Sequence, residues 1–231
     1  MNTHEIAALA DKLVAGRKSK KPMDVAGLMA DLSEADAYKV QFAVHDRFTA
    51  EGDPIVGWKV ALTLPVQYEP LKLSGPVFAG IYKSGLRQSG AVFEAGYPLK
   101  PGIEPELVAR IAKDAPAGGA PYTADGIRAY ISNLYCGMEL VDNRYADVTK
   151  MGGPARVADN VLQAALVTGT EIKDWQKRAM ARGLKKKVKD IEATFKAVDM
   201  DNSGYISHQE FYQLLRKLGI LKYAAIVPGG L

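Results

Sequence analysis

The sequence predicts an α/β chain of the α+β kind, with N-terminal helices and a mixed β-sheet over residues 1–175 and an all-α C-terminal segment. Three observations predict it. Residues 4–15, and the stretch from Ser33 to near Gly52, carry apolar side chains at helical spacing. From Pro54 the texture changes to short apolar runs broken by Gly and Pro. From Val188 the spacing is purely helical, with Ile191, Phe195 and Val198 before a 12-residue polar loop and Phe211, Leu214, Leu215 and Leu218 after it.

Taken in order, the first helix presents Ile6, Leu9, Ala10 and Leu13 on one face. The second starts after Ser33, whose hydroxyl caps the helix while Asp36 three residues on completes a capping-box pattern. It turns Ala37, Val40, Val44 and Phe48 inward. PIVGWKVALT, AVFEAG and ELVARIA read as strands. TADGIRAYISNLYCG reads as a helix leading into a strand-like MELVDN, and VADNVLQAALVTG repeats that order. KDAPAGGAPYTADG is a turn-rich loop.

Of the chain's net charge of +4, residues 176–189 contribute seven Lys or Arg and no acid, which leaves the remainder at −3. The basic character is local, and no aromatic residue interleaves it, so a nucleic-acid partner is not expected. A solvated linker is the simpler reading of that segment. A single cysteine, Cys136, excludes an internal disulfide framework and suits the cytoplasm. No apolar run reaches the roughly 18 residues of a membrane span. The N-terminal segment mixes acids and bases and reads as no signal peptide, although its amphipathic character is also compatible with organelle targeting.

Two constellations carry chemistry. Glu104 and Glu106 stand two apart in KPGIEPELVARIA, which on a strand places them on one face. Alone, this pattern more often marks a solvent-facing strand. Here it has company: three carboxylates and one lysine, all in buried-looking strands, make the case for one site. Glu139 in CGMELVDNR and Lys59 in VGWKVALT are charges inside apolar, buried-looking strand runs, where an unpaired charge is costly. Adjacent carboxylates repel unless a cation neutralises them, and an oxygen-only set suits a hard ion such as Mg²⁺ or Mn²⁺.

GWKVALT, PGIEPELVARI, GMELVDNRYAD and VADNVLQAALVTG, in this order, resemble the 2-keto-4-pentenoate hydratases and 2-oxo-3-hexenedioate decarboxylases of the fumarylacetoacetate hydrolase superfamily. The resemblance runs from the N-terminal helices to about Thr170. It implies that Glu104, Glu106 and Glu139 hold Mg²⁺ or Mn²⁺, and that Lys59 is an acid/base or substrate-orienting catalytic residue. It also implies a small-molecule 2-hydroxydienoate or 2-keto acid substrate. A homo-oligomer is expected on other grounds, because Phe195, Ile206, Phe211 and Leu215 in the C-terminal segment call for a covering surface such as a second copy. Two departures qualify the resemblance. Family members carry an acid in the segment after the lysine strand, but residues 70–93 contain none. The family also continues past VLQAALVTG with further strands, so a C-terminally truncated fumarylacetoacetate-hydrolase-like domain is expected.

The second constellation is DMDNSGYISHQE, residues 199–210. Asp199, Asp201, Ser203, Tyr205, Ser207 and Glu210 fall at loop positions one, three, five, seven, nine and twelve. Their side-chain oxygens, the Tyr205 carbonyl and a bidentate Glu210 suit Ca²⁺, and Gly204 permits the sharp turn. The pattern resembles an EF-hand over residues 188–220, after a basic linker at 176–187 and before a tail at 221–231. With three carboxylates in the loop, the affinity expected is about 10⁻⁵ M or weaker.

The functional expectation is therefore a divalent-metal-dependent hydro-lyase or related decarboxylase carrying a calcium-binding EF-hand. The alternative is an inactive calcium-binding or interaction protein built on the truncated domain. A chain that joins parts of two genes is a third reading.

Overall fold

The computed structural model describes residues 1–24, 26–29, 31–119 and 123–176. The chain divides into two units, Met1–Ile172 and Lys173–Leu231. The calcium-loop residues Asp199, Asp201, Ser203, Tyr205, Ser207 and Glu210 lie outside the described residues.

The first unit opens with two 17-residue helices, α1 (Thr3–Ser19) and α2 (Glu34–Ala50). Asn2 caps α1 in a full capping box, taking the Glu5 backbone N–H at 3.0 Å while the Glu5 carboxylate takes that of Asn2 at 2.8 Å. The box expected for α2 is half formed. Ser33 Oγ accepts from the Asp36 N–H at 3.1 Å, but the Asp36 carboxylate is taken by Lys39 and the Met1 amino group. Leu9, Leu13, Val40 and Val44 are buried, so the faces read from helical spacing are those that pack.

Nine further elements among the described residues make up the strands and short helices needed here. Strand β1 (Ile55–Ala61), the single-turn α3 (Pro65–Tyr68) and β2 (Val77–Tyr82) come first. Then follow β3 (Leu86–Gln88), β4 (Pro101–Ile111), the short α4 (Ala124–Arg128) and β5 (Ile131–Asp142). Helix α5 (Gly153–Ala158) and β6 (Gln163–Glu171) complete the unit. Strands β1 and β2 form an antiparallel pair, and a second, mixed sheet runs β3-β6-β5-β4 with β3 parallel to β6. The expected mixture of N-terminal helices and mixed sheet is the observed one.

Two segments differ from expectation. AVFEAG, residues 91–96, is not a strand. Gly90 and Gly96 turn the chain with φ of +90° and +81° at its two ends, Tyr97 N bonds back to Glu94 O, and Val92 is left 92% exposed. VFAGIY takes the strand role instead as β2, because its register against β1 pairs Ala79 with Lys59 and Gly80 with Trp58. The second difference is ISNLYCG, expected as helix. Only Ala124–Arg128 is helical, and Ile131 onward joins β5, where ladders to β4 and β6 override the local spacing.

The two sheets meet at the turn between α5 and β6. Asn160, Val161 and Leu162 are three consecutive residues with positive φ, a conformation rare outside glycine and unusual for a β-branched valine. Asn160 holds the turn. Its amide pairs both polar groups of Gly80, Oδ1 accepting from Gly80 N and Nδ2 donating to Gly80 O, each at 2.8 Å. His45 Nε2 meets the same Oδ1 at 2.8 Å. A side chain at Gly80 has no room, since a Cβ there would lie 2.5 Å from Ile55 Cδ1.

Candidate metal centre

The antiparallel register of β4 and β5 sets Glu104 directly opposite Glu139, and Glu106 opposite Gly137. Residues two apart on a strand share a face, and so do cross-strand partners. All three carboxylates therefore project to the same side of the sheet. One oxygen from each lies within 4.8 Å of the other two. Gly137 is fitted to its place, because a Cβ there would come within 2.5 Å of Val108 Cγ2.

Lys59 reaches this cluster from the other sheet. Its Nζ donates to Glu139 Oε1 at 2.6 Å, and both side chains are largely buried. Burial pushes the Glu139 carboxyl up to about 7; Glu104 and Glu106 add to the rise and Lys59 opposes it. Burial also raises Glu106, with the Glu104 charge adding and Lys59 again opposing. One lysine does not neutralise three converging carboxylates. The donor set is all oxygen, part buried and short of positive charge, which fits a hard divalent cation.

The expectation that all four residues sit in buried strands needs correction. Glu139 is 2% exposed, but Glu104 and Glu106 are exposed along with most of β4. The reason is position. β4 is the edge of its sheet, and among the described residues Ile103, Leu107 and Ile111 on its opposite face are exposed too. The cluster thus has a buried floor, Glu139 and Lys59, and an open wall.

Sequence reasoning did not find the buried polar framework behind this site. The Asn160–Gly80–His45 clamp fixes β2, which in turn holds β1 and Lys59. Asn160 looks like an ordinary helix-end residue in VADNVL, and only the tertiary pairing shows its role. Buried Asp159 likewise bonds Arg17 Nε at 2.7 Å and lies 3.4 Å from Arg144. The signal available was a charged residue inside the apolar runs VADNVL and ELVDNR. No helix among the described residues is long and apolar enough to cross a membrane.

Comparison with known proteins matches both halves of the chain. The EF hand domain model matches residues 190–218. The 4-oxalocrotonate decarboxylase of Pseudomonas sp. (strain CF600) is 26% identical over 142 residues, which is 62% of this chain and 53% of that protein. The enzyme of the same name from Pseudomonas putida is 24% identical over 170 residues, 73% of this chain and 63% of that one. The chain therefore spans between 53% and 63% of the length of these relatives. Among solved structures, 4-oxalocrotonate decarboxylase from Pseudomonas putida G7 complexed with magnesium and adipate superposes with a TM-score of 0.64 at 24% identity. That match covers 73% of this chain and 64% of the other. The same enzyme complexed with calcium and acetate gives 0.62 at 24% identity, over 73% of this chain and 63% of that one. The first unit has the fold of 4-oxalocrotonate decarboxylase and resembles the 2-keto-4-pentenoate hydratase and 2-oxo-3-hexenedioate decarboxylase family in sequence, and the segment behind it matches the EF-hand model.

Proposed function

We propose that the first unit is a divalent-metal-dependent lyase acting on a small 2-oxo acid or its 2-hydroxydienoate form. The observation that carries this reading is the convergence of Glu104, Glu106 and Glu139 beside Lys59. The three glutamates would hold Mg²⁺ or Mn²⁺, which when bound supplies Lewis-acid polarisation of the substrate's carboxylate and neighbouring oxygen. The glutamates fix where the reacting end of the substrate lies. Lys59, held on Glu139, is placed to give and take a proton at the same end. In decarboxylation the bond to the leaving carboxylate breaks, its electron pair is drawn toward the 2-oxo oxygen, and a proton returns to carbon. In hydration a proton reaches the far carbon and water adds at C4. Both reactions need the same polarised oxygen and the same proton donor. The similarity to decarboxylases supports the first, and the hydratase reading rests on the wider family resemblance.

Loop residues Asp199, Asp201, Ser203, Tyr205, Ser207 and Glu210 bind Ca²⁺ in this proposal, supported by their spacing and the EF-hand match. The chain acts in the cytoplasm in this proposal, and as a homo-oligomer, since a monomer would leave the apolar residues of β1 and β4 bare.

A second reading keeps only the calcium function. It is favoured by the open wall at β4 and by the absence of any Asp or Glu from residues 70–93. One experiment separates the two. The full chain is assayed on 2-hydroxypenta-2,4-dienoate and on 2-oxo-3-hexenedioate with Mg²⁺ or Mn²⁺, with and without Ca²⁺, beside Glu139→Gln. Metal-dependent turnover of either substrate, lost in the variant, supports the lyase. Calcium binding with no turnover and no Mn²⁺ binding at the glutamates leaves the second reading.

A further inference from the structure

Strand β4 has a long edge that no strand among the described residues pairs. Its 11 residues use one side of their backbone for the ladder to β5. Parity fixes which side. Ala112 N bonds to Tyr130 O at 2.8 Å, and Lys100 O accepts from Asn143 N at 3.0 Å. The even-numbered residues of β4 therefore turn their backbone groups toward β5, and the odd-numbered ones turn theirs to the free edge. Pro101 and Pro105 are odd-numbered, so their missing N–H groups cost the β5 ladder nothing and guard that end of the edge. Beyond them, Leu107, Ala109 and Ile111 present donors and acceptors with no proline to block them.

The side chains alternate in the same way. Glu104, Glu106, Val108 and Arg110 share one face of β4, the face of the metal centre. Arg110 is exposed and has no ion pair among the described residues. It stands four residues from Glu106, about 13 Å along the strand, and makes no pair with that carboxylate in its own chain. An unused cation and a cluster short of positive charge thus lie on one strand without meeting.

A second copy brings them together. Two β4 edges related by a two-fold axis pair antiparallel. An axis through Val108 sets Leu107 opposite Ala109, and Pro105 opposite Ile111, of the second copy. The odd-numbered residues then exchange backbone bonds, and only the Pro105 nitrogen has none to give. The same register sets Arg110 directly opposite Glu106 of the second copy, and symmetry makes that pair twice. Both fall at positions without backbone bonds, where facing side chains stand closest. An axis through Arg110 would face two arginines, and one through Glu106 would face two glutamates, so charge selects against both.

We propose that a second copy of this chain pairs along the β4 edge about Val108, and that its Arg110 closes the open wall of the metal centre against Glu106. This deepens the homo-oligomer reading given above and rests on it. A carboxylate has two oxygens, so Glu106 can face a metal ion with one and Arg110 with the other.

The test is sedimentation of the full chain with a chelator present, so that no metal links the copies. The parent should be a dimer. Arg110→Glu sets two acids against each other at each pair, and Glu106→Arg sets two bases. Each variant alone should weaken dimerisation about tenfold or more. Mixed in equal amounts, they should recover the dimer, because every pair is again Arg against Glu. Ala109→Pro removes an edge donor and no bond to β5, so it should weaken the dimer and leave the circular dichroism unchanged. Parent-strength dimers in Arg110→Glu or Ala109→Pro, both at exposed positions, would overturn the proposal and leave the homo-oligomer reading standing. A mixture that stays monomeric would do the same. A monomeric parent would sink both, while Mn²⁺ binding to that parent still tests the glutamates separately.

Discussion

Glu104 and Glu139 are direct cross-strand partners, two carboxylates placed side by side where a sheet ordinarily pairs opposite charges or apolar groups. Like charges so placed destabilise the ladder, and Lys59 relieves only one of them. The strain has a use if a cation completes the site.

The first prediction follows from that competition for charge. Burial holds Glu139 near 7, so below that pH a metal must displace a proton to bind. Apparent Mn²⁺ affinity should rise by up to about tenfold per pH unit between pH 5 and 7 and level off above it. Calorimetry in buffers of different ionisation heat should show proton release on binding below pH 7. Affinity that is flat from pH 5 to 8 would remove Glu139 from the ligand set.

Lys59 separates binding from chemistry. Lys59→Met removes the proposed proton donor and also a cation paired with Glu139. Turnover should fall by about 10²-fold or more, with Mn²⁺ affinity equal to the parent's or tighter. Measured kcat and metal Kd in the same preparation decide it. A variant with full turnover would exclude Lys59 from the mechanism.

His45 gives the unit an acid-sensitive stability. Burial lowers its proton affinity in the folded state, with Asn160 opposing, so the unfolded chain binds the proton more tightly. Stability is then present above the ordinary histidine value of about 6.5 and is lost as pH falls below it toward the depressed folded value. Urea unfolding between pH 5 and 7.5 should show that slope, and His45→Gln should flatten it. An unchanged slope in the variant would assign the acid sensitivity to other groups.

The Asn160 clamp should be worth more than one hydrogen bond. Asn160→Ala leaves the Gly80 N–H and C=O buried and unpaired, a cost of about 2–4 kcal/mol. Asn160→Asp should also destabilise, because it cannot donate to Gly80 O. If either variant unfolds at the parent's denaturant midpoint, the clamp contributes nothing that solvent does not replace.

Much of this was legible in the sequence, and for definite reasons. Glu139 and Lys59 stood out because a charge in an apolar strand run has few physical excuses, and Glu104 and Glu106 because spacing of two fixes a shared face. That Glu104 faces Glu139 was not legible, since register belongs to the pairing of strands and not to either strand alone. AVFEAG and VFAGIY look alike as strings; only VFAGIY has a partner strand in β1. The exposure of β4 was hidden for the same reason, because composition does not say which strand ends at the edge of a sheet.

The site draws on two sheets. The glutamates belong to β4 and β5, whereas Lys59 arrives on the β1–β2 pair, tied in by Asn160. In the proposed mechanism, cation capture and proton delivery would thus be separate modules of the architecture. Exchanging the two-stranded piece, in evolution or in the laboratory, would be a route to new reactions on an unaltered metal platform.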